Sequence, residues 1–356
     1  MFLFGPLDTD GRVLRCLSVL ERMKCPVTIL TCGSSRDFST ESIKHVDLRV
    51  NKPLKYFRFV FLCLKYAKKH NSEFDAYYCQ DYYSTLIGYF LTKISSRKII
   101  YDAHELLLPK KGQKVSARDK AFIFFERIFI RKAFYVIAAN EERARVIQEK
   151  YNLQKITWVL NITDAKKSDF NPIIKTYNED RDYYLVYQGV LSEGRNISFF
   201  VKALNVLPPN VKLMLIGGGN VSFYKDLVQE LNLCNRVIIT GRVSNSEMLE
   251  KLKECHLGII SYPFTSPNNI YCSPNKIFEY AALYLPMIST NQPFLEKNLS
   301  SYGIGVTFKE NDFGSFKQSF EEVISKDLSP RMFDSFLKDF NFENESKKIE
   351  MVIQQL

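Results

Sequence analysis

Short apolar runs rich in β-branched and aromatic residues alternate with helical patterns along the whole chain, and the alternation starts afresh near its middle. That rhythm is the mark of parallel α/β layers. In the first half, strands are predicted near residues 2–5, 27–31, 74–79, 98–102, 134–138 and 156–160. From Thr163 to Asp182 the chain turns polar, carries Asn171-Pro172 and loses its periodicity, which marks a linker. Strand 183–188, helix 196–207, strand 211–216, helix 221–232, strand 236–240, helix 245–254 and strand 257–261 then follow. The expected fold is α/β: two Rossmann-like, doubly wound parallel-sheet domains facing a central cleft. Residues 1–165 form the first domain and 166–356 the second, with the last helix free to pack back on the first. The length of 356 residues agrees, because single cores stop growing beyond about 250–300 residues.

Open α/β sheets bind ligands beyond the carboxyl ends of their strands, so chemistry is expected there. Gly5-Pro6 follows the first strand, and Asp102-Ala103-His104-Glu105 follows Ile99-Ile100-Tyr101. Gly189 follows Leu185-Val186-Tyr187, and Gly217-Gly218-Gly219-Asn220 follows Leu213-Met214-Leu215-Ile216. His104 lies between Asp102 and Glu105, the arrangement in which a carboxylate orients an imidazole in a cleft, although a lone histidine is as readily structural. The glycine triplet lacks the third glycine of a dinucleotide fingerprint, which points to a tight strand-to-helix turn rather than an NAD site.

Ser273-Pro274-Asn275-Lys276-Ile277-Phe278-Glu279-Tyr280 is the most informative local segment. Serine is a preferred N-cap and proline suits the first helical position, so a helix is predicted to begin here and run through Leu283. Its body is apolar apart from Lys276 and Glu279, which share one face. A first-turn lysine opposes a helix dipole that favours anions there by roughly 0.3–1 kcal/mol. A phosphate held by the first-turn N–H groups and Lys276 removes the conflict, and so does an internal Lys276–Glu279 ion pair. Arg195, at the start of the helix after Gly189, has the fork geometry for two phosphate oxygens, or is a solvated loop arginine.

No metal is expected. His45, His70, His104 and His256 are scattered, and the eight cysteines form no Cys-x-x-Cys pair and read as reduced thiols of a cytosolic protein. Asp8-Thr9-Asp10 has the spacing of a Mg²⁺ pair, but Arg12 beside it is an equally good partner. Asp180-Arg181-Asp182 precedes its strand and reads as linker.

Charge is divided unevenly. Residues 1–165 hold 28 Lys+Arg against 17 Asp+Glu, net +11, and the remainder holds 21 against 22. The first half is therefore the one suited to a polyanion or an anionic membrane surface. Two stretches concentrate the signal, residues 52–70 and 118–132. In the first, Lys55, Arg58, Lys65 and Lys69 fall at helical spacing among Phe57, Phe59, Phe61 and Leu62; in the second, Lys120, Arg127 and Arg131 lie beside Phe122, Phe124, Phe125 and Phe129. Each is also compatible with an ordinary outer helix packed on a sheet. The segment Met1–Pro6 is too short in its apolar run, and lacks the basic flank, for a signal peptide; no run reaches the 18 or so apolar residues of a membrane span.

Taken together, these segments resemble the retaining, nucleotide-sugar-dependent glycosyltransferases of family 4, which have the GT-B arrangement. The resemblance runs through Asp10-Gly11-Arg12-Val13, Tyr101-Asp102-Ala103-His104-Glu105-Leu106 and Val159-Leu160-Asn161. It continues in Tyr187-Gln188-Gly189 with Arg195, Ile216-Gly217-Gly218-Gly219, and Gly241-Arg242-Val243 with Glu247, and it is most specific in Ser273-Pro274-x-Lys276-x-x-Glu279-Tyr280.

The resemblance implies that the second domain binds a UDP- or GDP-type sugar and the first meets a glycan or lipid-linked acceptor, without metal or other cofactor. It implies that Glu279 holds ribose hydroxyls, and that Arg195 and Lys276, with the Ser273, Pro274, Asn275 and Lys276 backbone, hold the diphosphate. Gly5 and Gly189 line the donor site, Arg242 and Val243 lie near the base, and His104 faces the transferred sugar. Tyr271 stands at the sugar end, where many members carry another glutamate. Val190 replaces a common arginine, and Tyr284 a common glycine. The excess positive charge of the first half makes cytoplasmic assembly of cell-surface polysaccharide, peripheral at the inner membrane face, the expected setting, with no nucleic-acid partner. A catalytically silent nucleotide or glycan binder, and a nucleotide-sugar epimerase of the same fold, remain as alternatives.

Overall fold

The computed structural model describes residues 1–50, 54–108, 115–162 and 173–356. Residues 52–53 of the basic stretch and 163–172 of the predicted linker lie outside the described residues. Met1–Asn161 with Phe342–Leu356 make one compact unit, and Ile162–Asn341 the other.

In the first unit the order is α1 (Gly11–Arg22), β1 (Val27–Thr31), β2 (Ile43–Asp47), α2 (Lys55–Lys69), β3 (Ala76–Gln80), α3 (Thr85–Ile94) and β4 (Lys98–Ala103). Then come α4 (Ala117–Phe129), β5 (Tyr135–Ala138), α5 (Glu141–Tyr151) and β6 (Ile156–Trp158). All strand pairs are parallel, β1 with β2 and β3-β4-β5-β6 in order. The predicted strand at 2–5 is reduced to one bridging residue, Phe2, which pairs with Leu30 and with Cys79 and so stitches β1 to β3. Gly5-Pro6 stops it there, since Pro6 has no N–H to continue a ladder. Strand β2 has no counterpart in the sequence prediction, because Ile-Lys-His-Val-Asp at a half-buried edge carries too little apolar signal.

The final helix, Phe342–Ile353, belongs to the first unit. Ile349 and Val352 pack with Cys16, Val19 and Leu20. Buried Glu345 accepts the Leu160 N–H at 2.7 Å, and Arg22 reaches Glu343 at 3.0 Å and Glu350 at 2.9 Å.

The second unit runs β7 (Tyr183–Gln188), α6 (Ile197–Ala203), β8 (Val211–Ile216), α7 (Val221–Glu230), β9 (Val237–Gly241), α8 (Asn245–Glu254) and β10 (Leu257–Ile260). It continues with α9 (Pro267–Ile270), α10 (Asn275–Ala282), β11 (Met287–Thr290), α11 (Pro293–Tyr302), β12 (Gly305–Phe308), α12 (Phe313–Ser325) and α13 (Pro330–Asp339). Its sheet is parallel throughout, ordered β12-β11-β10-β7-β8-β9. Chain order reverses between β7 and β10. Helices leave these two neighbours toward opposite faces, and the crevice this opens at their carboxyl ends is where a doubly wound sheet holds its ligand.

Candidate functional site

Beyond the carboxyl end of β7, Gln188 leads into Gly189; beyond β10, Ser261 leads into Tyr262. Two glycines let the strand ends crowd together. A Cβ on Gly217, at φ +142°, would lie 1.9 Å from the Gly189 carbonyl oxygen, and one on Gly219, at φ +129°, 2.3 Å from that of Leu191. Bare backbone here lets Gly189 N–H donate to Ile216 and Leu191 N–H to Gly218, both at 2.8 Å. The triplet thus serves the close approach of two strand ends as well as a turn.

Two cations converge on this platform. The guanidinium carbon of Arg195 lies 4.5 Å over the Tyr262 ring, and Lys276 Nζ lies 5.5 Å from the same ring and 5.4 Å from that of Tyr187. A Cβ on Gly189 would sit 3.4 Å from Lys276 Nζ. Burial, and then the charge of Arg195, bring the Lys276 ammonium down to about 8. Two like charges held together and partly desolvated are what an anion would relieve.

Helix α10 differs from the prediction at its first residue. Pro274, with φ −73° and ψ 143°, occupies the N-cap position and the helix starts at Asn275; no side chain caps it. Proline loses nothing there, having no N–H to leave unpaired. Ser273 precedes it, and Tyr271 closes α9, its N–H donating to Pro267 at 2.9 Å. The Lys276–Glu279 ion pair is not formed among the described residues. Glu279 instead accepts a hydrogen bond from the Gln188 amide, and burial raises its pKa.

Three groups here were missed in the sequence. Tyr262, which shares its ring between two cations, is fixed by buried neighbours: its N–H donates to Thr290 Oγ1 at 3.2 Å, and Gln292 donates to its carbonyl. Gln188 Oε1 and Ser261 Oγ, both at the switch point, are buried without a hydrogen-bond partner among the described residues, a condition that usually calls for a ligand or water. Only the place of Gln188, directly before a strand-end glycine, was a usable sequence signal. Arg242 is exposed and Val243 half-buried after β9, with Arg242 Cβ 3.7 Å from the position of a Cβ on Gly218.

His104 and Gly5 lie in the first unit. Among the described residues, the imidazole of His104 is held by an amide rather than a carboxylate: its Nε2 donates to Gln80 Oε1 at 2.9 Å, and burial lowers its pKa. Asp102 is engaged elsewhere. Its Oδ1 accepts from Arg12 Nε at 3.0 Å and Nη2 at 2.7 Å, while Arg12 Nη1 donates to the Val159 carbonyl at 2.6 Å. Arg12 is therefore not the partner of Asp8 or Asp10. Asp10 caps α1 through the Val13 N–H, and Asp8 Oδ2 accepts from the Ser35 N–H at 2.8 Å. The Gly5 carbonyl accepts from Cys32 at 3.2 Å.

Residues 12–167 match the family described as Glycosyltransferase Family 4, and residues 169–338 the one described as Glycosyl transferases group 1. The chain is similar in structure to a sucrose-phosphate synthase from Thermosynechococcus elongatus, with a TM-score of 0.75 and 15% identity over 99% of this chain and 98% of that one. It is similar to Anabaena HepE in complex with UDP-glucose, with TM-score 0.72 and 15% identity over 100% and 99% of the two chains. A third similar structure is the apo lipopolysaccharide outer core galactosyltransferase WaaB, with TM-score 0.72 and 16% identity over 100% and 99%. No curated protein matches the sequence significantly.

Proposed function

The chain belongs to the family 4 glycosyltransferases of GT-B fold, and from that premise we propose that it moves a hexose-type sugar, with retention, from a nucleotide diphosphate-sugar to a glycan or lipid-linked glycan. The observation that carries the donor half is the pair Arg195 and Lys276 held on one Tyr262 ring at the switch point of the second sheet. Fixed cations beside a helix N-terminus stabilise the charge that builds on a departing diphosphate. Glu279, held by Gln188, accepts from ribose hydroxyls. That two similar Anabaena HepE structures are complexes with UDP and UDP-glucose makes a uridine nucleotide the first donor to test.

In the proposed step the bond from the anomeric carbon to the phosphate oxygen breaks. A new bond to the acceptor oxygen forms on the same face, and the acceptor proton passes to the departing phosphate oxygen. No protein nucleophile is required. The proposed setting is cell-surface polysaccharide assembly.

Incubation with a panel of UDP- and GDP-sugars, with release of nucleotide diphosphate as the readout, tests this. Slow release from one donor, and loss of UDP- or GDP-induced thermal stabilisation in Glu279→Ala, are expected. Stabilisation without any release, even with acceptors supplied, would favour the silent binder. No stabilisation by any nucleotide would defeat the reading.

A further inference from the structure

The helices α2, α3 and α4 form one layer: Tyr56 meets Phe122 at 5.4 Å, Tyr89 meets Phe125 at 5.7 Å, and α3 packs against both neighbours. Their inner faces bury Phe59, Cys63, Ile87, Leu91, Phe122 and Phe129. The outer faces are unusual for a water-facing helix layer. On α2 and the residue before it, Leu54 is 65%, Phe57 61% and Phe61 65% exposed, followed along the same stripe by Lys65 and Lys68. On α3, Phe90 and Ile94 are 40% and 49% exposed around Lys93; on α4, Phe124 is 57% exposed between Lys120 and Arg127.

Charge sharpens the point. Helices α2 and α3 contain no carboxylate. In α4, Glu126 is buried on Tyr101 and Tyr151, and Asp119 lies beside Arg118 at 3.5 Å. Among the described residues, the outward cations Arg58, Lys65, Lys68, Lys93, Lys120 and Arg127 form no ion pair. Helices of the second unit behave otherwise, with exposed lysines followed or preceded by glutamates, as in Lys253–Glu250 at 2.7 Å and Lys317–Glu321 at 3.9 Å.

We infer that this three-helix face seats on an anionic lipid bilayer, with Phe57, Phe61, Phe90 and Phe124 entering the headgroup–acyl boundary and the lysines and arginines meeting lipid phosphates. A second copy of the chain is a poor occupant, because two cationic faces of this kind repel. A soluble polyanion would engage the cations and leave Leu54 and Ile94 in water. Aromatic and aliphatic side chains bordered by cations are the composition of an interfacial face.

The test is sedimentation of the full chain with vesicles of phosphatidylcholine alone and of phosphatidylcholine mixed with phosphatidylglycerol. Retention on the mixed vesicles at low salt is expected. Lys65→Gln/Lys68→Gln should lower partitioning roughly thirty-fold, and Phe57→Ser/Phe61→Ser/Phe124→Ser should abolish the retention that survives moderate salt. Circular dichroism of both variants reports that they remain folded. Equal retention on neutral and anionic vesicles, or a serine variant that binds like the parent, would overturn the assignment; heparin binding by the serine variant as tight as the parent's, with no vesicle retention by either, would assign the face to a polyanion instead. Vesicle binding needs no turnover, so its failure and a failure to release nucleotide diphosphate are separate results.

Discussion

The guanidinium of Arg195 lies 4.5 Å over the ring of Tyr262, joining the turn after β7 to the loop after β10 across the point where strand order reverses. Stacking holds the arginine in place before any anion arrives. Tyr262→Ala should therefore weaken UDP binding several-fold, since an exposed cation–π interaction is worth about 0.5–1 kcal/mol, while Tyr262→Phe keeps the ring and the affinity. Arg195→Ala should cost more, roughly 1.5–3 kcal/mol for one charge-assisted bond. Titration calorimetry with UDP checks the order; equal losses for Phe and Ala at Tyr262 would assign the effect to the hydroxyl instead.

Lys276 makes donor affinity depend on pH. In the free protein it gives up its proton near pH 8 rather than 10.5. Diphosphate needs the ammonium, so affinity should be flat below about pH 8 and then fall by up to about tenfold per unit. Without ligand the sign is opposite for stability. Between these two values the unfolded chain carries the proton and the folded chain does not, so this lysine's contribution rises with pH. Urea midpoints with and without UDP across that window should converge, and curves that stay parallel would contradict the assignment.

Gly217 and Gly218 are neighbours with opposite tolerances. Gly217→Ala meets the Gly189 carbonyl at 1.9 Å with φ +142°, and should lower stability by about 3 kcal/mol or more. Gly218→Ala finds its nearest neighbour at 3.7 Å and should be close to neutral. Thermal denaturation of the two variants separates them.

Arg12 and Asp102 form a buried pair, so removing one partner strands the other. Arg12→Leu should destabilise the first unit by roughly 3–5 kcal/mol, and Arg12→Leu/Asp102→Leu should recover part of that loss. A double variant no better than the single would show that the bonds from Arg12 to the Val159 and Ala138 carbonyls dominate.

His104 should be neutral at pH 7, with its Nε2 proton on Gln80. Its lowered pKa means that its contribution to stability is lost as pH falls from 6.5 through the folded value. Gln80→Glu places a carboxylate at the same ring nitrogen and should raise the imidazole pKa, which an NMR titration reads directly.

The sequence by itself determined the parallel α/β class, the restart near the middle of the chain, the strand end that carries Gly189 and Arg195, and the helix start that carries Lys276 and Glu279. Those features are local: a strand's apolar run, a helix's period and a glycine at a turn are set by neighbouring residues. Strand β2 escaped because an edge strand buries too little to be marked. Tertiary structure alone decided which groups meet. Tyr262 reaches Arg195 only because β7 and β10 are neighbours in the sheet, and Gln188 takes Glu279 from Lys276 because α10 lies against the end of β7. Asp102 turned from His104 to Arg12, since a carboxylate buried at a strand end is held by the cation that the packing of α1 delivers to it, whatever stands beside it in sequence.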